Sequence, residues 1–259
     1  MIDIERIQAQ LRAAVRLSHE AVAAPPFTCF FNPDNDATFA NYAVPDMPVG
    51  VGVEASLRTV AEEFHLRQRR PRFEYLEAYA PDLAAVLEQQ GYQCEMRSLL
   101  MVCTPDTVTP PPWPAGFTVE ALTAATPIDV VQDVMTIQAR AFGDPDAPRI
   151  SAAEAQQFLT RFAALQLFLA RFNGAPVSVA TLTAPYQGIA ELAGVATAAA
   201  YRRRGFAAAL TYAVTQAAFA QGIDQVFLTA ANAEASHAYA HAGFMACGSG
   251  LAYVLPLRL

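Results

Sequence analysis

The sequence predicts an α+β fold, helices laid on a sheet, and three observations carry that reading. Apolar residues fill 54% of 259 positions and charged residues only 16%, a composition that buries a large core and does not stay disordered. Helical and alternating apolar periods follow one another along the chain, mixing meander strands with strand–helix–strand crossovers. At about 150 residues per domain the length allows two domains, and Thr104–Gly116 sets five prolines between two patterned halves. Proline supplies no backbone donor and disfavours helix in the residue before it, so this stretch reads as a stiff, extended connection. The expected boundaries are a first domain over 1–105, a linker over 106–116 and a second domain over 117–259.

In the first half, apolar spacing at Ile4, Ile7, Leu11 and Val15 behind Asp3 predicts a helix over 4–22. Strands are expected at Phe27–Phe31 and Ala40–Val44, a helix at Val53–Leu66 and an alternating strand from Arg72 to Tyr79. A helix opened by Pro81 and closed by Gly91 follows, then a strand from Cys94 to Cys103. In the second half, helices are expected at Ile128–Phe142 and Ala152–Leu165. Gln166–Ala184 reads as a strand pair turning at Asn173-Gly174, a strong hairpin signal. Ile189–Thr197 is a further strand, Gly205–Gln221 a helix and Gln225–Ala231 a strand. Glu234–Ala242 is a helix ended by Gly243, and Leu251–Leu257 is the closing strand.

Composition excludes several functions. The net charge is −7 and all 17 basic residues are arginine; general nucleic-acid binding needs a net positive field. The first twelve residues carry Asp3, Glu5 and Arg6 and no apolar run, unlike a secretory signal. Gly205–Ile223 is uncharged, but alanine dominates it and Thr211, Thr215, Gln216 and Gln221 interrupt it, unlike a membrane span. Cys29, Cys94, Cys103 and Cys247 are scattered without a C-x-x-C pair, which reads as reduced thiols of a cytoplasmic protein.

An internal repeat is visible at an offset of 152 residues, where Gly91 meets Gly243, Tyr92 meets Phe244 and Leu83 meets Ala235. Both copies read strand, turn, helix, Gly-aromatic, which suggests one fold used twice.

The chemistry concentrates in Glu191–Leu210. A strand ends at Thr197, an arginine–glycine turn follows, and a helix starts near Phe206. Unpaired backbone N–H groups over 203–208, the helix dipole and Arg202–Arg204 together suit a pyrophosphate. Cations at a helix N-terminus oppose its dipole unless an anion sits among them.

Arg202-Arg203-Arg204-Gly205-Phe206-Ala207 resembles the (Gln/Arg)-x-x-Gly-x-(Gly/Ala) loop of the GNAT acetyltransferases, and Asn232, Ala235, Tyr239, Gly243 and Phe244 are similar to the segment that completes that fold. The resemblance implies two GNAT-like domains, each a mostly antiparallel sheet with a splayed parallel pair and flanking helices. It implies acetyl-CoA as cosubstrate and no metal. Val195, Ala196 and Thr197 would bond the pantetheine arm and thioester carbonyl through the strand backbone. Arg203, Arg204, Gly205, Phe206, Ala207 and Ala208 would hold the pyrophosphate, and Asn232 would bond near the pantetheine. Tyr239 would be the general acid at the sulfur. Glu191, eleven residues before Arg202, is the candidate general base, where a raised carboxyl pKa would help it take an ammonium proton.

The implied activity is N-acetyl transfer to a small-molecule or peptide amine by direct attack in a ternary complex, with neither nucleic acid nor membrane as partner. Two alternatives stand beside it: an acyl-CoA sensor that lost turnover, and a dinucleotide oxidoreductase built on Gly50-Val-Gly52-Val-Glu-Ala55. The latter follows a proline-interrupted segment, a poor central strand. His237 and His241 stand four apart on one helix face without a visible third metal ligand, and Gly248-Ser249-Gly250 lacks the outer glycines of a nucleophile elbow. Arg67–Arg72 reads as a solvated basic face. Under the repeat, Asn232 falls on Ala80 and Tyr239 on Leu87, and Glu54 stands where a phosphate would sit. The first half is therefore expected to lack the cofactor apparatus.

Overall fold

The computed structural model describes residues 3–50, 52–161 and 163–256. The fold is mixed αβ, as expected, and the chain divides into two compact units, 1–100 with 247–259, and 101–246. These limits differ from the linker-based expectation at both ends: the closing strand belongs with the first unit, and Met101–Cys103 with the second. The proline-rich stretch is part of the second unit. Thr109 N–H donates to the Ala242 carbonyl at 3.2 Å, and Trp113 Nε1 donates to the Phe117 carbonyl at 3.1 Å.

The first unit opens with α1 (Ile4–Val15), whose N-cap Asp3 accepts from Arg6 N–H. The expected helix overruns here. Residues 20–24 form β1 (Glu20–Ala24), a hairpin partner of β2 (Phe27–Phe31) across Pro25-Pro26. Then come β3 (Tyr42–Pro45), α2 (Glu54–Leu66), β4 (Arg72–Leu76), α3 (Leu83–Gln89) and β5 (Gln93–Cys103). Strands β1, β2 and β3 are antiparallel in sequence order, and β3 runs parallel to β4. Residues 72–76 also pair antiparallel with 250–254 of β11 (Met245–Val254). The core is aromatic: Phe27 meets Phe73 edge-on at 5.2 Å, and Phe73 meets Tyr92 at 5.4 Å. Buried Arg72 is held by Glu74 and Glu95, each at 2.6 Å, so the basic run is tied into the fold at that end. Arg67 in turn bridges Glu20 and Glu63.

The second unit runs β6 (Phe117–Ala121), α4 (Ile128–Phe142), α5 (Ala152–Arg161), β7 (Gln166–Phe172), β8 (Ala175–Leu182), β9 (Ile189–Thr197), α6 (Phe206–Ala220), β10 (Gln225–Ala230) and α7 (Ala233–Ala240). β6 to β9 form an antiparallel meander, and β10 lies parallel to β9. Period-two alternation sorts the core into two layers. Leu167 and Leu169 of β7 pack with Val134 of α4, whereas Phe168 and Ala170 pack with Leu210 and Val214 of α6. Helix α6 can lie close to the sheet because its inward face carries Ala208, Ala209 and Ala218 besides Leu210 and Val214.

The offset of 152 residues holds to within two positions in the element starts. α2 begins at Glu54 and α6 at Phe206, β4 at Arg72 and β10 at Gln225, α3 at Leu83 and α7 at Ala233, β5 at Gln93 and β11 at Met245. Gly91 and Gly243 both adopt the left-handed conformation, with φ of 86° and 94°. At Gly243 a Cβ would come within 2.1 Å of the Thr107 carbonyl oxygen, so the close approach of 107–109 requires glycine.

Candidate active site

The site begins where β9 and β10 part. Their parallel ladder pairs Ile189–Glu191 with Gln225–Phe227, and β9 then continues to Thr197 outside that ladder. A bulge marks the departure: Thr181 of β8 faces Ala193, but Val179 faces Ala196, so three residue steps on β9 oppose two on β8. Gly194 sits in this bulge at φ 59°. Gln138 of α4 pins it, Nε2 donating to the Gly194 carbonyl at 3.0 Å. A Cβ on Gly194 would lie 2.5 Å from that Nε2. Buried Ser178 fixes the far end of the strand by donating to the Ala196 carbonyl at 2.7 Å.

Beyond Thr197 a short 3-10 turn, Ala199–Tyr201, leads into the arginine–glycine loop. Arg202 Nε donates back to the Thr197 carbonyl at 3.1 Å. Arg203 and Gly205 are both left-handed, with φ of 64° and 80°, and α6 starts without a side-chain cap. Phe206 anchors the start of the helix, stacking on Phe117 at 5.0 Å and packing against Phe172 at 5.1 Å. Full burial of such a ring contributes roughly 2–3 kcal/mol. With the helix start fixed, the first-turn N–H groups have no intrahelical acceptor.

The parted strands, this loop and α7 enclose a cleft of about 900 Å³, within the range of small-molecule sites. Of the residues expected from sequence, Glu191, Val195, Ala196, Thr197, Arg203, Gly205, Phe206, Ala207, Ala208, Asn232 and Tyr239 all line it. Arg204 is not among its lining residues; its guanidinium lies over the Tyr201 ring at 5.4 Å. Asn232 is the N-cap of α7, its Oδ1 accepting from Ala235 N–H at 2.9 Å. Tyr239 packs near Phe244, and burial pushes its phenol pKa above the ordinary value, so the proton is held firmly. Half-buried Glu191 is the last β9 residue of the ladder, paired with Phe227, and its N–H donates to Thr183 Oγ1 at 2.9 Å.

The cleft also holds Glu234, which the sequence reading missed, and the histidine pair that it had singled out. Glu234, in the first turn of α7, pairs with Arg203 at 2.9 Å. His237 and His241 face the cleft with Nε2 atoms 3.2 Å apart, and no group of three candidate metal ligands occurs among the described residues. Gln138 and Ser178 position the strand from behind. Their signal was present: each is a polar residue set among apolar neighbours, which a core tolerates when its hydrogen bonds are met. No helix among the described residues is long and apolar enough to cross a membrane.

Fold and cleft together define a mixed αβ protein whose parallel strand pair parts beside a glycine turn that feeds a helix. Residues 131–244 match the model of the acetyltransferase (GNAT) family, and this stretch is a GNAT domain. Solved structures extend the likeness over the whole chain. A GCN5-related N-acetyltransferase from Kribbella flavida is 27% identical, with TM-score 0.81 over 100% of this chain and 97% of that one. One from Sphaerobacter thermophilus is 17% identical, with TM-score 0.65 over 99% and 92%. A tandem GNAT protein from the clavulanic acid biosynthesis pathway is 15% identical, with TM-score 0.64 over 99% and 97%. A comparison with curated proteins returned no match.

Proposed function

We propose that this protein transfers an acetyl group from acetyl-CoA to an amine, by direct attack within a ternary complex. The observation that carries the reading is the single cleft that joins Glu191, the free end of β9, the arginine–glycine turn and Tyr239. The turn presents α6 N–H groups with Arg202 and Arg203 beside them, a setting for a diphosphate. Val195–Thr197 offer strand backbone to the pantetheine arm, and Asn232 stands across the gap.

The acceptor arrives as an ammonium, because alkylamines titrate near pH 10. Glu191 takes its proton, directly or through water, and the freed nitrogen lone pair attacks the thioester carbonyl carbon. As the tetrahedral adduct collapses, the C–S bond breaks and Tyr239 gives its proton to the leaving thiolate. The phenolate then recovers a proton from the nitrogen, which still carries the extra proton of the attacking amine, leaving the neutral amide. The first unit carries no arginine turn at the start of α2 and has Glu54 in its first turn, so cofactor binding falls to the second unit alone. Four free thiols suit a cytoplasmic setting.

A thiol-release assay over a panel of amines, run beside calorimetric titration with acetyl-CoA, tests the proposal. Acceptor-dependent release is expected. Firm binding without release from any amine would make the cleft an acyl-CoA sensor instead.

A further inference from the structure

The register of α4 against β9 shows what lies at the acceptor end of the cleft. Val134 packs in one cluster with Ala196, and four residues later Gln138 bonds to Gly194. The helix therefore advances as the strand number falls. Four further helical residues rise about 6 Å, and two strand residues cover about 6.6 Å, which sets Phe142 level with Leu192 and beside Glu191. Both Phe142 and Glu191 line the cleft. Thr197 and the arginine–glycine turn lie at the opposite end of the same strand, roughly 20 Å from Glu191 at strand rise.

Phe142 is 67% exposed, a large aromatic surface in the wall of a cleft. Its position is built. Gly143 ends the helix with its N–H donating to the Ala139 carbonyl, and Arg140 Nε donates to the Ala147 carbonyl at 2.8 Å. Arg149 closes the following loop back onto Asp133 at 2.9 Å. Ala141, next to Phe142 in the chain, also lines the cleft and packs against the core layer under α4. The acceptor end thus offers the Glu191 carboxylate and the exposed face of Phe142.

Resting on the acetyl-transfer reading above, we infer that the acceptor is a primary amine carried on an aromatic or bulky apolar body, whose ring lies on Phe142 while its ammonium faces Glu191. A polycation or a polyhydroxylated amine would leave the face of Phe142 in water and set polar groups against that ring and Ala141, whose side chains offer them no hydrogen-bond partner.

The experiment compares phenethylamine with spermidine and a hexosamine in the thiol-release assay, for the full chain and its Phe142→Ala and Phe142→Leu variants. Phenethylamine is expected to have a kcat/KM at least about tenfold above the other two, the scale set by burying one ring face. Phe142→Ala is expected to raise the phenethylamine KM roughly tenfold, with kcat and the acetyl-CoA KM nearly unchanged, and Phe142→Leu to recover part of the loss. Equal use of spermidine, or a phenethylamine KM indifferent to Phe142→Ala, overturns the inference and leaves acetyl transfer standing. No release from any amine overturns both.

Discussion

Tyr239 is the residue on which the proposed chemistry turns. Its phenol is packed beside Phe244 and pushed up by burial, so it remains a proton donor at least to its ordinary value of about 10. Tyr239→Phe is therefore expected to lower kcat by about 100-fold with little change in the acetyl-CoA KM. In the parent protein the alkaline limb of the kcat profile should fall above pH 10, not below it; a limb near pH 8 would assign the acid to another group. Glu234 is the counterpart at the other end of the cleft. It is an exposed anion paired with Arg203 in a place suited to phosphates, so it competes with the ligand for that guanidinium. Glu234→Gln is expected to tighten acetyl-CoA binding about two- to fivefold at low salt, the gain shrinking as salt rises. Weaker binding in calorimetry would mean that the carboxylate orients Arg203 rather than opposing the ligand.

At the scale of elements, the bulge in β9 has a direct test. Gly194→Ala places a Cβ 2.5 Å from Gln138 Nε2 on a backbone at φ 59°. The glutamine tip can swing away, but only by giving up its bond to the Gly194 carbonyl. A loss of roughly 1–3 kcal/mol in denaturant unfolding is expected, with a higher acetyl-CoA KM. Elements of this kind show where sequence reading succeeds. The strand from 189 to 197 and the helix near Phe206 stood out because periodicity and a glycine turn agree there. The bulge did not, since it comes from Gln138 reaching in from α4. The first helix was read to residue 22 because Val22 continues its apolar spacing, yet Glu20–Ala24 pairs with Phe27–Phe31. Pairing overrode local pattern, and Pro25-Pro26 was the available sign of the turn. β6 was missed for a related reason: five residues, Phe117–Ala121, become a strand by bonding to β7. The cleft residues contributed by motif were legible. Glu234 and Phe142 were not, because their importance lies in what other elements bring beside them.

At the scale of the molecule, the order helix, three strands, helix, strand, helix, strand occurs twice, and the two runs differ in chemistry more than in element order. α2 and α6 start in equivalent places, but the first carries Glu54 where the second carries an arginine–glycine turn. The repeat was visible at its tails because glycine and aromatic residues mark the helix ends. The membership of the final strand was not, since a strand's own residues do not say which neighbour it joins. Deleting residues 247–259 tests that membership. The ladder between 250–254 and 72–76 is lost, together with buried Leu251, Ala252 and Tyr253. Amide exchange is expected to rise sharply in β4 and α1 while β7, β8 and α6 keep most of their protection. Equal loss in both units would show that they unfold together.

The place of β11 also bears on how the protein is made. Strand β4 emerges early in synthesis, yet its antiparallel neighbour is residues 250–254. Until that segment leaves the ribosome, the edge of β4 exposes unpaired backbone and apolar surface through the translation of the whole second unit. Such long-range closure is slow, and an open edge invites pairing with other chains. The nascent protein should therefore depend on chaperones late in translation, and expression at reduced temperature should raise its soluble yield.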